Sequence, residues 1–170
     1  LQILKELARQ YPYVKVISLS RNFGKEAAVT AGLAEVSGEA AVILDVDLQD
    51  PVELIPAFWQ KYQQGYENVY GLRSDRSEDT FLKRFTAQTF YKVYNKMADF
   101  PLPYNAGDFR LLSRRAAQAV AALPERERFM KGLFSWVGYK SIAVPYRRRA
   151  RAAGHSKWNY WQLWNFALGG

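Results

Sequence analysis

The sequence contains no cysteine, which excludes disulfides and thiolate-bound metals. Histidine is nearly absent: His155 is the single one, which argues against a zinc site or a histidine-based triad. No apolar run reaches the roughly 18 residues needed to cross a bilayer, and no secretory signal is visible. Internal repeats, low-complexity stretches and a domain-dividing linker are also lacking. Acidic residues are outnumbered, 16 against 24 lysines and arginines, for a net charge of +8. That surplus implies an anionic partner: nucleic acid, a phosphate-bearing substrate or an acidic membrane surface. The chain has no initiator methionine, opening on Leu1, and it stops at Gly169-Gly170 just after an aromatic segment. The expectation is a piece of a longer protein.

What is present is a globular composition. Of 170 residues, 49% are hydrophobic and 24% charged, enough for one domain with a real core. The chain is organised around Asp45-Val46-Asp47-Leu48-Gln49-Asp50-Pro51. An apolar run, Ala40 to Leu44, reads as a buried strand just before it. On an extended chain Asp45 and Asp47 point to the same side. Carboxylates so placed either repel or share a cation, and hard Mg2+ or Mn2+ prefers oxygen ligands. A plain acidic turn that caps a helix is the alternative. Asp50 then suits the N-cap, Pro51 the first helical position and Glu53 a capping box.

Helical spacing of Leu1, Leu4, Leu7 and Ala8 predicts a helix over 1–10. Val14 to Ser20 reads as a strand, Arg21 to Lys25 as a glycine-containing loop, and Glu26 to Val36 as a helix. After the Asp45 strand, Leu54, Ile55, Phe58, Trp59 and Tyr62 form an apolar helical face that Gly65 ends. Glu67 to Leu72 reads as a strand. This alternation predicts a mostly parallel α/β sheet, with ligands beyond the carboxyl ends of its strands. Arg21, Asp45, Asp47 and Arg73 converge there, a set suited to a metal-bound phosphate. Further on the pattern predicts a helix over Thr80 to Ala98, then, over Asn105 to Leu112, a glycine turn leading into a short strand. Ser113 is the expected N-cap of a helix to Leu123. A basic helix over Arg126 to Val137 and a strand over Tyr139 to Tyr146 follow.

Five stretches occur in order: Arg21-Asn22-Phe23-Gly24-Lys25, Asp45 to Pro51, Gly107-Asp108-Phe109-Arg110-Leu111, Arg128-Phe129-Met130-Lys131-Gly132 and Ser135-Trp136-Val137-Gly138. Over nearly its whole length the chain resembles glycosyltransferase family 2, and within it the polyprenyl-phosphate group that includes dolichyl-phosphate mannose synthase and bactoprenol glucosyltransferases. The resemblance implies a GT-A type Rossmann-like domain over 1–146 and a basic, aromatic juxtamembrane segment over 147–170. The family's first strand, with its Pro-x-x-Asn-Glu type nucleoside site, is expected before Leu1, and its transmembrane helices after Gly170.

The resemblance further implies an inverting, metal-dependent transfer of a sugar from a nucleotide-sugar to a polyprenyl phosphate (undecaprenyl or dolichyl). Asp47 would hold Mg2+ or Mn2+ with Gln49 nearby, and Asp45 would help to hold donor and metal. Arg21 and Lys25 would lie on the donor side. Arg73, Lys83 and Arg84 would hold the acceptor phosphate. Asp108 would be the catalytic carboxylate, with Asp45 beside it. The acceptor phosphate is itself largely ionised at neutral pH, so Asp108 need not act as a base. Plainer readings stay open. Asp108 could be a turn carboxylate paired with Arg110, Arg21 a solvated loop charge, and Lys83 and Arg84 a solvated helix face.

A soluble family 2 enzyme with a polysaccharide or protein acceptor is the alternative function. A nucleic-acid-binding domain fits less well. The basic residues concentrate in Arg126 to Lys157 beside an aromatic tail, and the carboxylate pair would repel a nucleic-acid backbone. Arginines 147, 148, 149 and 151 with Lys157 precede Trp158, Tyr160, Trp161, Trp164 and Phe166. This end is expected on the cytoplasmic membrane surface, unless it packs on its own domain as a terminal helix. A second copy of the chain remains open as a partner.

Overall fold

The computed structural model describes residues 1–47, 49–74, 106–125 and 128–147. The helix expected over Thr80 to Ala98, with Lys83 and Arg84, lies outside the described residues. So does the segment from Arg148 onward.

Among the described residues, a four-stranded sheet has the order β1-β3-β2-β4. Its strands are β1 (Ala40–Ile43), β2 (Asn68–Arg73), β3 (Ala106–Ser113) and β4 (Ser141–Tyr146). β2 and β4 pair parallel, while β3 runs antiparallel to both β1 and β2. Three strands therefore share one direction and β3 opposes them. The helix–strand alternation points to the shared direction. The reversal of β3 is not legible, because a buried strand's apolar run reads alike in either sense. β3 already includes Gly107, so the expected glycine turn does not form there and the strand is longer than the short one expected. The carboxyl ends of β1, β2 and β4 and the amino end of β3 meet at one edge of the sheet.

The sheet is covered on both faces. Alternation along β3 sends Leu112 into one core with Leu33, Ala116, Ala117, Val120, Met130 and Phe134. Those residues come from α2 (Lys25–Ala34), α4 (Arg114–Ala122) and α5 (Met130–Trp136). Phe109 and Leu111 point the other way and join Phe58, Val69 and Tyr146. Phe58 belongs to α3 (Ile55–Gln63). Each such large side chain contributes roughly 1.5–3 kcal/mol by leaving water.

Local chemistry sets the helix ends. Ser113 caps α4 as expected, its Oγ accepting from the Ala116 N–H at 3.1 Å. Beyond α3, Gly65 takes φ +87°, its N–H bonds Tyr62 O, and the Tyr66 N–H reaches back to Lys61 O. That is a Schellman termination. Asp50 does not cap α3. A 3-10 turn (Val52–Leu54) precedes that helix, Leu54 stands at its N-cap, and no side-chain cap forms. Asp50 is instead buried and accepts a hydrogen bond from the Tyr146 hydroxyl. The basic helix expected from Arg126 is regular only over α5.

The Val14 to Ser20 stretch forms no strand. No described strand lies beside it to take up its backbone groups, and Ile17 is 48% exposed. Helix α1 (Gln2–Gln10) forms as its spacing predicts but buries no residue.

Gly71 in β2 shows how closely β4 approaches. A Cβ there would stand 2.7 Å from Tyr146 Cε1. Gly71→Ala is expected to cost about 1–3 kcal/mol, because the ring is boxed in by Phe109 at a centroid distance of 5.9 Å. Urea denaturation midpoints check this, and a wild-type midpoint would show that the ring gives way freely.

Candidate functional site

The loop before α2 explains how Lys25 is delivered to the sheet edge. Asn22 Oδ1 accepts from the Gly24 N–H at 2.9 Å, closing an Asx turn. Gly24 has φ +89°, a conformation that favours glycine, and α2 begins at Lys25. The Lys25 ammonium then bridges two carboxylates, Asp45 at 2.8 Å and Asp108 at 2.5 Å.

Register accounts for that meeting. Ile43 pairs with Arg110 across β1 and β3. Extended two residues, the same antiparallel register sets Asp45 against Asp108. Like charges opposed in this way repel, and Lys25 supplies the cation between them. Partial burial pulls the Lys25 pKa down, but Asp108 and Asp45 outweigh it and hold the ammonium above its ordinary value. Burial pushes the Asp108 carboxyl up, but Lys25, with Lys131 and Arg110, brings it below the ordinary carboxylate range.

Asp108 does not pair with Arg110. The buried Arg110 donates to Gly107 O at 2.9 Å and to Asn68 Oδ1 at 3.4 Å, and its guanidinium lies 3.9 Å from the centre of the Phe134 ring. Burial pulls its pKa down to about 10, so it stays cationic at neutral pH.

Asp45 and Asp47 are not side by side on an extended chain. β1 ends at Ile43 and a turn follows at Val46-Asp47. Asp45 turns to Lys25, while Asp47 Oδ1 accepts from the Gln49 N–H at 3.2 Å. Gln49 Oε1 is buried with no hydrogen-bond partner. A carboxylate and an unsatisfied carbonyl oxygen one turn apart fit a hard divalent cation as two of its ligands. Among the described residues, no group of three or more acidic, histidine or cysteine side chains stands ready for a metal.

Arg73 ends β2 beside Tyr146 of β4. Its guanidinium lies where a Gly107 side chain would be, 3.4 Å from the Cβ position, and also hydrogen-bonds the Tyr146 hydroxyl. Burial and the bond to Asp50 push the Tyr146 phenol up to about 12, so it remains a donor. The Arg73 Nε is buried without an acceptor. Arg21 stays out of this cluster: it is exposed, over the Phe23 ring at 4.1 Å.

Sequence reasoning missed Glu26, Lys131, Asp50 and Tyr146. Glu26 looks like an ordinary first-turn acid, but its carboxyl is pushed up to about 7, by burial first and then by the charge on Asp108. The folded chain thus holds this proton more tightly than the unfolded chain does. Stability from this group is present below about pH 4.5 and is lost as pH rises to about 7. The loss is on the order of 2–3 kcal/mol. Glu26→Gln is expected to be near neutral at about pH 5 and stabilising at about pH 8. Equal urea midpoint shifts at both pH values would contradict this.

These features define a class: an α/β domain covered by helices, with a polar, phosphate-suited site at the carboxyl ends of its co-directional strands. Residues 1–121 match the sequence pattern of Glycosyl transferase family 2, and the chain belongs to that family. Its mixed sheet accords with the family's GT-A type, Rossmann-like architecture. A bactoprenol glucosyl transferase of Shigella phage SfV is 51% identical over 168 residues, 99% of this chain and 55% of the relative. A prophage bactoprenol glucosyl transferase homolog of Escherichia coli is 49% identical over 168 residues, with the same 99% and 55% coverage. An uncharacterized glycosyltransferase of Synechocystis is 51% identical over 157 residues, 92% of this chain and 49% of the relative. The chain spans about half the length of the curated relatives it matches. Among the described residues, no helix is long and apolar enough to cross a membrane.

Proposed function

We propose that the protein containing this chain transfers a sugar from a nucleotide-sugar to a polyprenyl phosphate at the cytoplasmic membrane surface. The observation that carries the reading is the Lys25 bridge between Asp45 and Asp108 at the strand ends. It is supported by relatives, named for bactoprenol glucosyl transfer, that match nearly the whole chain. The basic and aromatic residues beyond Tyr146 suit a membrane surface by composition.

The chemistry is one displacement. An acceptor phosphate oxygen forms the bond to the sugar's anomeric carbon as the bond to the donor's diphosphate oxygen breaks. The electron pair leaves on the nucleoside diphosphate, and a single displacement inverts the centre. Asp108 faces the positive charge that develops on the sugar, and Lys25 keeps that carboxylate ionised and aimed. Arg73 holds the acceptor phosphate. Asp47 and Gln49 would hold Mg2+ or Mn2+, which supplies positive charge to the departing diphosphate when bound.

Full-length protein in detergent, given undecaprenyl phosphate and a panel of labelled nucleotide-sugars, is expected to place label in the organic phase. Arg73→Ala is expected to cut that transfer about tenfold or more, and to leave calorimetric donor binding within about threefold. Label found only in water-soluble polysaccharide or protein would replace this reading with a different acceptor. Equal losses in donor binding and transfer would remove Arg73 from the acceptor side.

A further inference from the structure

The Arg128-Phe129-Met130-Lys131-Gly132 stretch has no role yet. Arg128 is structural: its guanidinium donates to the carbonyl oxygens of Val120 (3.1 Å) and Leu123 at the end of α4. Met130 is buried in the core. Lys131 is neither. It lies three residues before Phe134 on α5, so it shares the face that covers Arg110. Its ammonium reaches the electrostatic neighbourhood of Asp108, Arg73, Arg110 and Lys25.

The charges there are close to balance only if Glu26 is ionised, and its carboxyl is pushed up to about 7; Asp50 is taken up by the Tyr146 hydroxyl. Lys25, Lys131 and Arg110 act on Asp108, Arg73 acts on Lys131, and Asp45 and Glu26 lie beside them. Lys25 is already committed to Asp45 and Asp108. Arg110 is committed to Gly107, Asn68 and Phe134. The Lys131 ammonium makes no hydrogen bond or ion pair with any described residue, and the Arg73 Nε is buried without an acceptor. Burial lowers the Lys131 pKa, Asp108 raises it, and Arg73, Arg110 and Lys25 lower it further, so the charge of Asp108 offsets these cations only in part. Gly107, without a side chain, lets the Arg73 guanidinium come against the start of β3, 3.4 Å from where its Cβ would stand.

We propose that Lys131 is a substrate-binding residue that, with Arg73, takes the phosphate monoester of the acceptor at the Asp108 end of β3. This deepens the proposed function and rests on it for the identity of the acceptor. A phosphate dianion fits because it offers oxygens to two donors and offsets the local surplus.

The test uses full-length protein in detergent with farnesyl phosphate as probe. Lys131→Met keeps the apolar stem, and Lys131→Arg keeps the charge. Lys131→Met is expected to raise the acceptor KM about tenfold or more with the donor KM within about twofold, and Lys131→Arg to recover most of the loss. Its melting temperature without ligand is expected to match or exceed wild type, because an unpaired, partly buried cation is removed. If wild type moves no sugar to any lipid phosphate, the proposed function fails. Calorimetry with farnesyl phosphate then still decides the site: wild type binds it and Lys131→Met binds it at least tenfold more weakly. An unchanged acceptor KM or probe affinity overturns the proposal. So does a matching loss on the donor side, which places Lys131 on the diphosphate, or a clear fall in melting temperature, which makes Lys131 structural.

Discussion

Asp108→Asn is expected to lower sugar transfer by about a hundredfold to a thousandfold, with nucleotide-sugar binding almost unchanged. Asparagine keeps the shape at the β3 edge and removes the charge that faces the reacting sugar. The fold is expected to survive. The Lys25 side chain is 42% exposed and that of Asp108 25%, so solvent screens the bridge and little stability rests on it. Lys25 also retains Asp45. The effect on rate should therefore far exceed the effect on melting temperature.

The pH profile separates two roles for this carboxylate. Burial alone would raise its pKa, yet Lys25 and the cations behind it hold it below the ordinary range. A carboxylate that stays ionised at such low pH is a poor proton acceptor at neutrality. The acceptor phosphate, with a second pKa near 6, loses its second charge as pH falls through about 6. The rate is expected to fall there in wild type and in Asp108→Asn alike. If the variant loses the acid limb, Asp108 is the titrating base. A kcat within about threefold of wild type would remove it from the chemistry.

What the sequence shows and what it hides divide along physical lines. Lys25, Asp45 and Asp108 are visible because charged residues around strand ends and helix starts stand out from apolar periodicity. Their pairing is not visible. Asp108 next to Arg110 in sequence suggests a local ion pair, but neighbours two apart on a strand share a face and need not touch. Only the antiparallel register of β3, which no pattern in its apolar run reveals, brings Asp108 to Asp45 and Lys25. The Asp50–Tyr146 bond joins residues 96 apart, and Asp50 seen alone looks like a helix cap. Glu26 looks like a helix-start acid until burial near α5 changes its proton affinity. Val14 to Ser20 has strand periodicity, but a ladder needs a partner, and none is described beside it.

Asp47→Ala is expected to have the largest effect, reducing transfer by about a thousandfold or more. The argument begins with a cost. Gln49 Oε1 is buried without a donor, which disfavours the free turn by about 1–3 kcal/mol. A bound cation would remove that penalty, and Asp47 one turn away would supply the negative charge that a carbonyl lacks. The Gln49 backbone N–H donates to Asp47 Oδ1 at 3.2 Å, which holds the Asp47 carboxylate against the turn that carries Gln49. Asp45 is held by Lys25, while Asp47 is the D-x-D carboxylate that contacts Gln49. Wild-type binding of a nucleoside diphosphate is expected to tighten on addition of Mn2+, and Asp47→Ala to show no such gain. Gln49→Ala should lose about tenfold in the same titration and keep its melting temperature, because the buried unsatisfied oxygen is gone. Asp47→Asn retains the turn's hydrogen bond without the charge, so it should fold like wild type and still lose the metal response. Metal-tightened diphosphate binding by Asp47→Ala, or near-wild-type turnover at saturating Mg2+, would place the cation elsewhere.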